Sequence, residues 1–221
     1  MPRAVLLDLF DTVVASDWSA WHATLSRILG VDRRTLFQAY ATTRVGRNTG
    51  RYRDEEGDMR AVVEAVGIED PPPDLVRSCA AAHYDFTRNG IELYDDVVVT
   101  LAALRAAGVR TALISNCDHF ARHVVDRLEL RERFDAVILS YEVGAKKPSP
   151  EIYAAALAAV GDVTPGDAVF VDDQTSYCDG ARDTGIDTRL IVRPDVAPPE
   201  GVSIDANGHA VIADLSSLRP A

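Results

Sequence analysis

Five short stretches of the chain, 4–7, 110–114, 136–139, 168–171 and 188–192, are dominated by Val, Ile, Leu and Ala. Their apolar positions run on without alternating with polar ones, the pattern of strands covered on both faces of a parallel sheet. Stretches with helical spacing lie between most of them, at 95–107, 119–128, 150–160 and 175–184, and Gly108, Gly161 and Gly185 stand where those helices should stop. Strands alternating with helices predict a doubly wound α/β fold with a parallel sheet, whose functional groups gather at the carboxyl ends of the strands.

Residues 16–89 interrupt the alternation with four helical patterns, 18–29, 33–43, 54–66 and 74–88, and no strand pattern; Pro71, Pro72 and Pro73 mark one break. In the first of these, Trp18, Trp21, Leu25, Ile28 and Leu29 share a face, so both tryptophans are expected in packing. The expected organisation is an α/β core of 1–15 and 90–221, with an all-helical cap, 16–89, inserted over the carboxyl edge of the sheet. Hinges are expected near 15–17 and 89–94. Beyond Val192 the pattern loosens through Pro194, Pro198 and Pro199, and 209–212 is a candidate short strand.

Composition narrows the partners. Hydrophobic residues make up 47% of the 221, enough for a sizeable core, and the net charge of −11 argues against nucleic acid or membrane as the main partner. A small anionic metabolite remains open if a local cation or metal ion overrides that field. The scattered Cys79, Cys117 and Cys178 suit neither a disulfide framework nor a zinc site. The apolar stretch ending at Asp8 is too short for a leader or a span, so a cytoplasmic location is expected.

Four segments carry candidate chemistry. Asp8 follows the first strand, at the open sheet edge, where a carboxylate can act as a covalent nucleophile or cap a turn. Ser115 and Asn116 end the second strand and can donate hydrogen bonds to the oxygens of a transferred group. Lys147 directly precedes Pro148 and a Pro-initiated helix; Lys146 is its rival. Asp172 and Asp173 end a fourth strand and suit a hard cation. Singly, each can be explained as a cap or a surface charge.

In this order and placement, with Lys147–Pro148–Ser149–Pro150–Glu151–Ile152–Tyr153 and the spacing from Asp172 to Gly180–Ala181, the set resembles the haloacid dehalogenase-like superfamily. The resemblance spans the core, and the helical insertion matches the superfamily's common cap position. It implies Asp8 as nucleophile, Lys147 offsetting its charge, and Ser115 with Asn116 binding the transferred group. It further implies magnesium held by Asp8, Asp172, Asp173 and the backbone carbonyl of Phe10. Thr12, in the loop after the nucleophile, joins Asn116 as a candidate substrate-binding residue.

One position departs from the pattern. The family's phosphatases usually carry a second Asp two residues after the nucleophile, which protonates the leaving group and activates water; here that residue is Phe10. The leading expectation is magnesium-dependent phosphate-monoester hydrolysis, with Asp11 the nearest alternative proton carrier. The second is 2-haloacid dehalogenation, since halide leaves without a proton and such members place an aromatic residue here. They need no metal, however, and Tyr177 stands where their water-activating Asp would be. The third is a weakly catalytic binding or regulatory protein. Within the cap, Arg44, Arg47, Arg51 and Arg53 either grip a substrate anion, Arg47 foremost, or form a solvated surface paired with Asp54, Glu55, Glu56 and Asp58. His119 and His123, four apart, have no third metal ligand in view. Cys117 reads as a packed small residue.

Overall fold

The computed structural model describes residues 1–161, 163–194 and 205–219; Pro198 and Pro199 of the Pro-rich passage lie outside the described residues. In chain order the elements begin with β1 (Ala4–Leu7), β2 (Val14–Ser16), α1 (Trp18–Leu29), α2 (Arg33–Asn48), α3 (Glu55–Ala65), α4 (Pro73–Asn89) and β3 (Ile91–Leu93). They continue with α5 (Asp95–Ala106), β4 (Arg110–Ser115), α6 (Ala121–Arg127), α7 (Leu130–Arg133), β5 (Ala136–Leu139), α8 (Ser140–Val143) and α9 (Pro150–Ala159). The last are β6 (Ala168–Asp172), α10 (Thr175–Asp183), β7 (Asp187–Ile191) and β8 (Ala210–Ile212).

Six strands form one sheet in the order β5-β4-β1-β6-β7-β8, and every neighbouring pair is parallel. β1 lies at its centre, with Leu7 opposite Leu113 of β4 and Val171 of β6. Successive side chains of a strand face opposite ways, and two cores follow. Val5 and Leu7 join Leu113, Val169 and Val171 on one face, against Val97 and Leu101 of α5 and Val124 of α6. Ala4 and Leu6 join Ala112, Ile114 and Phe170 on the other, against Ile152 and Tyr153 of α9 and Ala181 of α10. Burial on both faces explains the unbroken apolar runs in the sequence. Chain order reverses about β1, so its carboxyl end is the switch point where such sheets bind ligands.

The four helices α1–α4 interrupt the alternation as expected. Asp17, Asp32 and Asp54 cap the first three by accepting from the amides of Ala20, Thr35 and Gly57 at 3.0, 2.8 and 2.8 Å. Pro73 opens α4, where its missing N–H costs nothing. The first core cluster continues without a break into these helices through Trp21, Leu25, Leu36, Val62, Val76 and Cys79.

The structure corrects the expected elements in several places. β2 and β3, absent from the sequence pattern, pair antiparallel with Ser16 opposite Ile91. The expected hinge segments, 15–17 and 89–94, overlap this ribbon. α2 runs to Asn48 instead of stopping at residue 43, and the helix expected at 119–128 covers only Ala121–Arg127. The short strand expected at 209–212 is present as β8, which extends the sheet edge beside β7. Among the described residues no helix is long and apolar enough to cross a membrane.

Candidate active site

Asp8 leaves β1 held by its own amide, which donates to the carbonyl of Val171 at 2.9 Å. This bond extends the β1–β6 register by one residue and brings Asp8 beside Asp172, the last residue of β6. One carboxylate oxygen each from Asp8, Asp172 and Asp173 lies within 4.8 Å of the others. Lys147 is buried between them, its Nζ donating to Asp172 at 2.6 Å and also to Asp8. Lys146 instead directs its ammonium to the Lys147 carbonyl at 3.4 Å.

The loop carrying Lys147 is fixed from two sides. Asn116 clamps its backbone, accepting from the Lys147 amide at 2.7 Å and donating through Nδ2 to the Lys147 carbonyl at 2.9 Å. On the other side, Gly180 of α10 packs so closely that a Cβ there would sit 2.5 Å from Pro148 Cβ and 2.7 Å from the Pro148 carbonyl. Only a hydrogen fits. The Gly-Ala pair recognised in the sequence is thus part of the mounting of the lysine.

Charge is concentrated here under burial. Burial, countered by Lys147 and reinforced by Asp172, raises the Asp8 carboxyl to about 7. Asp173 rises to about 7 through burial and then the charge of Asp8, and Asp172 to about 6 through burial, with Lys147 opposing and Asp173 adding. Burial alone would discharge Lys147, but Asp172 and Asp8 together hold it protonated well above the usual lysine value. Three carboxylates against one ammonium leave a surplus of negative charge. A hard divalent cation with oxygen ligands matches this donor set and would relieve it.

A cavity of about 350 Å³ opens from this cluster toward the helical block. Asp8, Asp11, Asn116 and Asp173 stand on its floor, Phe10, Trp18, Phe86 and Phe120 along its wall, and exposed Phe37 and Arg44 at its mouth. Asp11, in a left-handed turn at φ 57°, reaches the cavity, and burial plus the charge of Asp8 raise its carboxyl to about 6.

Several residues singled out in the sequence take other places. The Asn116 side chain spends its oxygen and one of its two N–H groups on the Lys147 backbone, and it also lines the cavity. Ser115 is fully buried behind the cavity, its hydroxyl without a partner. Thr12 is also buried and does not line the cavity; its carbonyl accepts from Arg193 at 2.5 Å. Arg47 reaches the wall but is already engaged, by Asp118 at 2.7 Å, the Tyr40 carbonyl at 3.1 Å and Thr43 Oγ1 at 3.1 Å. Its partner is thus Asp118, 71 residues away, and not the acids beside it in the cap sequence. Of those acids, Asp58 is buried against His119 at 2.6 Å, and Glu55 meets His123 at 2.7 Å. Trp21 packs in the core as expected, whereas Trp18 lines the cavity.

Sequence reasoning passed over Asp118, Phe120 and Phe86. Asp118 had a usable signal, since it lies three residues past Ser115 in the same strand-end loop. The two phenylalanines had none beyond helical spacing.

An aspartate at the end of the central strand, a buried lysine between carboxylates and a helical block beside the cavity define a doubly wound α/β protein with an acidic site at its switch point. The family model for haloacid dehalogenase-like hydrolases matches residues 2–183, and the chain belongs to that family. It is 29% identical over 180 residues to the glyceraldehyde 3-phosphate phosphatase of Methanopyrus kandleri, covering 79% of this chain and 76% of that one. It is 28% identical over 187 residues to (S)-2-haloacid dehalogenase 1 of Pseudomonas sp. (strain CBS-3), covering 84% and 78%. Among solved structures, a HAD phosphatase from Thermococcus onnurineus superposes with a TM-score of 0.63 at 23% identity, over 98% of this chain and 95% of that one. The chain is therefore a HAD-like hydrolase with relatives of both chemistries.

Proposed function

We propose that the protein hydrolyses phosphate monoesters through an aspartyl-phosphate on Asp8, with magnesium at Asp8, Asp172, Asp173 and the Phe10 carbonyl. The observation that carries this reading is the three-carboxylate cluster with Lys147 buried against it. Magnesium supplies charge neutralisation at the transferring oxygens. Asp8 attacks phosphorus in line, and the bond to the leaving oxygen breaks. Lys147 orients Asp8 and offsets its charge, and Ser115, with its unpartnered hydroxyl beside β1, offers a donor once the floor adjusts around a phosphoryl group. Water then attacks the acyl phosphate and restores Asp8. Asp11 is the carboxyl placed to serve a proton in place of Phe10. In this reading 16–89 is a cap that excludes bulk water, moving on the β2–β3 ribbon. A cytoplasmic site of action fits the three buried free thiols.

Dehalogenation is the second reading, favoured by Phe10, whose ring stands on the cavity wall 5.2 Å from that of Trp18. Against it, Tyr177 occupies the expected water-activating position, with Lys147 Nζ 5.1 Å from its ring centre. The deciding experiment incubates the pure protein with and without magnesium against para-nitrophenyl phosphate, acetyl phosphate and L-2-chloropropionate. Magnesium-dependent phosphate release, lost in Asp8→Asn, is expected; metal-independent chloride release would establish the second reading instead. Silence on all three substrates would support a binding protein.

A further inference from the structure

The cavity beyond Asp8 has a chemical character of its own. Phe10 begins an aromatic wall directly beside the nucleophile, and it continues through Trp18 and Phe86, whose rings lie 5.1 Å apart. Phe120 stacks on His83 at 3.9 Å on the same wall. Burial pushes His83 down to about 4, so the imidazole is neutral, and its buried Nδ1 has no hydrogen-bond partner. Arg47, the cation sequence reasoning placed against a substrate anion, is neutralised by Asp118 and committed to Tyr40 and Thr43. Arg44, the other cation among the described lining residues, is exposed at the mouth. Of the polar residues that share the lining, Thr87 is bonded to the Tyr84 carbonyl and Gln174 to Asp173, which leaves Asn48 as a donor but no free buried cation for a sugar phosphate or a second phosphate among the described residues.

From this, we infer that the ester cleaved at Asp8 is an aryl phosphate, with an uncharged leaving group of one or two rings seated on Phe10, Trp18, Phe86 and Phe120. The inference rests on the phosphoryl reading above and gives it a substrate class. Stacking supplies recognition. The chemistry agrees with the wall. Asp8 forms a bond to phosphorus as the bond to the phenolic oxygen breaks, and that oxygen leaves with the electron pair as phenolate. A phenolate needs far less help from an acid than an alkoxide, so Phe10 is tolerable where alkyl esters would demand a carboxyl. Water then adds its oxygen to phosphorus and frees Asp8. One of its protons stays on the released phosphate and the other neutralises the phenolate.

The test compares 2-naphthyl phosphate and phenyl phosphate with glyceraldehyde 3-phosphate and glycerol 3-phosphate on the magnesium-loaded protein. Cyclohexyl phosphate separates apolar recognition from leaving-group acidity. Binding of 2-naphthol and glycerol is measured in parallel by tryptophan fluorescence and calorimetry. The expected result is a kcat/KM for the aryl esters about 100-fold above that for the polyol esters. Cyclohexyl phosphate should share their low KM but not their kcat, and 2-naphthol should compete while glycerol does not. Phe37→Ser, at the exposed mouth, should raise KM for 2-naphthyl phosphate several-fold with little change in kcat. Polyol phosphates turned over as well as aryl ones would overturn the aryl assignment and leave the phosphatase reading standing. Naphthol binding without phosphate release from any ester would support the apolar cavity but overturn phosphoryl chemistry. Neither binding nor turnover would overturn both.

Discussion

In the metal-free protein the acidic cluster should make stability depend on pH in a defined direction. Unfolded, the carboxyls of Asp8, Asp172 and Asp173 lose their protons near pH 4. Folded and free of metal, Asp172 keeps its proton to about 6, and Asp8 and Asp173 keep theirs to about 7. Between pH 4 and 7 the native state therefore binds more protons than the unfolded chain. Stability from this cluster is greatest at the acid end of that window and falls as pH rises, by about 1.4 kcal/mol per pH unit for each proton of difference. Asp11 and Asp58, raised to about 6, act in the same direction. His83, lowered to about 4, opposes them below its ordinary value. Magnesium at a hundredfold excess over its dissociation constant adds about 2.7 kcal/mol. For a chain of this size that is a rise in Tm of roughly 5–11 °C at pH 8, shrinking toward zero at pH 5, where protons occupy the ligands. Scanning calorimetry with EDTA or magnesium at both pH values measures it. Asp173→Asn should raise the metal-free Tm at pH 8 and remove the magnesium increment. An increment equal at pH 5 and pH 8, or one kept by Asp173→Asn, would refute the reasoning.

Three further outcomes test the mounting of the site. Lys147→Met leaves two buried carboxylates without their cation and should destabilise by about 3–5 kcal/mol, as well as abolishing turnover; a Tm equal to wild type at pH 8 would contradict the observed pairing. Gly180→Ala drives a methyl group into Pro148 and should cost about 1–3 kcal/mol. Its kcat should fall more than its KM rises, because the displaced loop carries Lys147; unchanged kcat would show that the loop yields without moving the lysine. Breaking the buried Arg47–Asp118 pair singly, by Arg47→Met or Asp118→Leu, should cost about 3–5 kcal/mol, while the double change costs less than the sum of the two. Additive denaturation energies would mean that the two side chains act independently.

The sheet was legible because burial on both faces leaves continuous apolar runs, and all five expected strands agree with the structure to within one residue at each end. β2 and β3 were not, since three residues such as Val14–Ala15–Ser16 carry too little periodicity to separate from a loop. The chemistry at strand ends was also visible: Asp8, Lys147, Asp172 and Asp173 converge because each sits where a local pattern stops. Hydrogen-bond partners were hidden. Nothing near Asn116 in the chain announces that both ends of its amide close on Lys147, 31 residues on, and nothing near Arg47 announces Asp118. Local propensity fixes where a side chain starts, whereas long-range packing decides which atom it meets. Trp18 shows the same limit, since one helical face can serve both packing and a cavity wall.

The apolar cluster that passes unbroken from β1 and α5 into α1–α4 also bears on how new specificities could arise in this scaffold. Val5 and Leu7 belong to the same packed body as Trp21, Leu36 and Val76. Grafting the helical block of a relative onto this sheet would therefore replace part of a shared interior, and the chimera would inherit voids and clashes far from the cavity it was meant to reshape. Diversification is easier one wall residue at a time, at positions such as Phe37 and Arg44 that face solvent at the mouth. In this molecule selectivity and foldability are written in overlapping side chains, and the exposed rim is where they come apart.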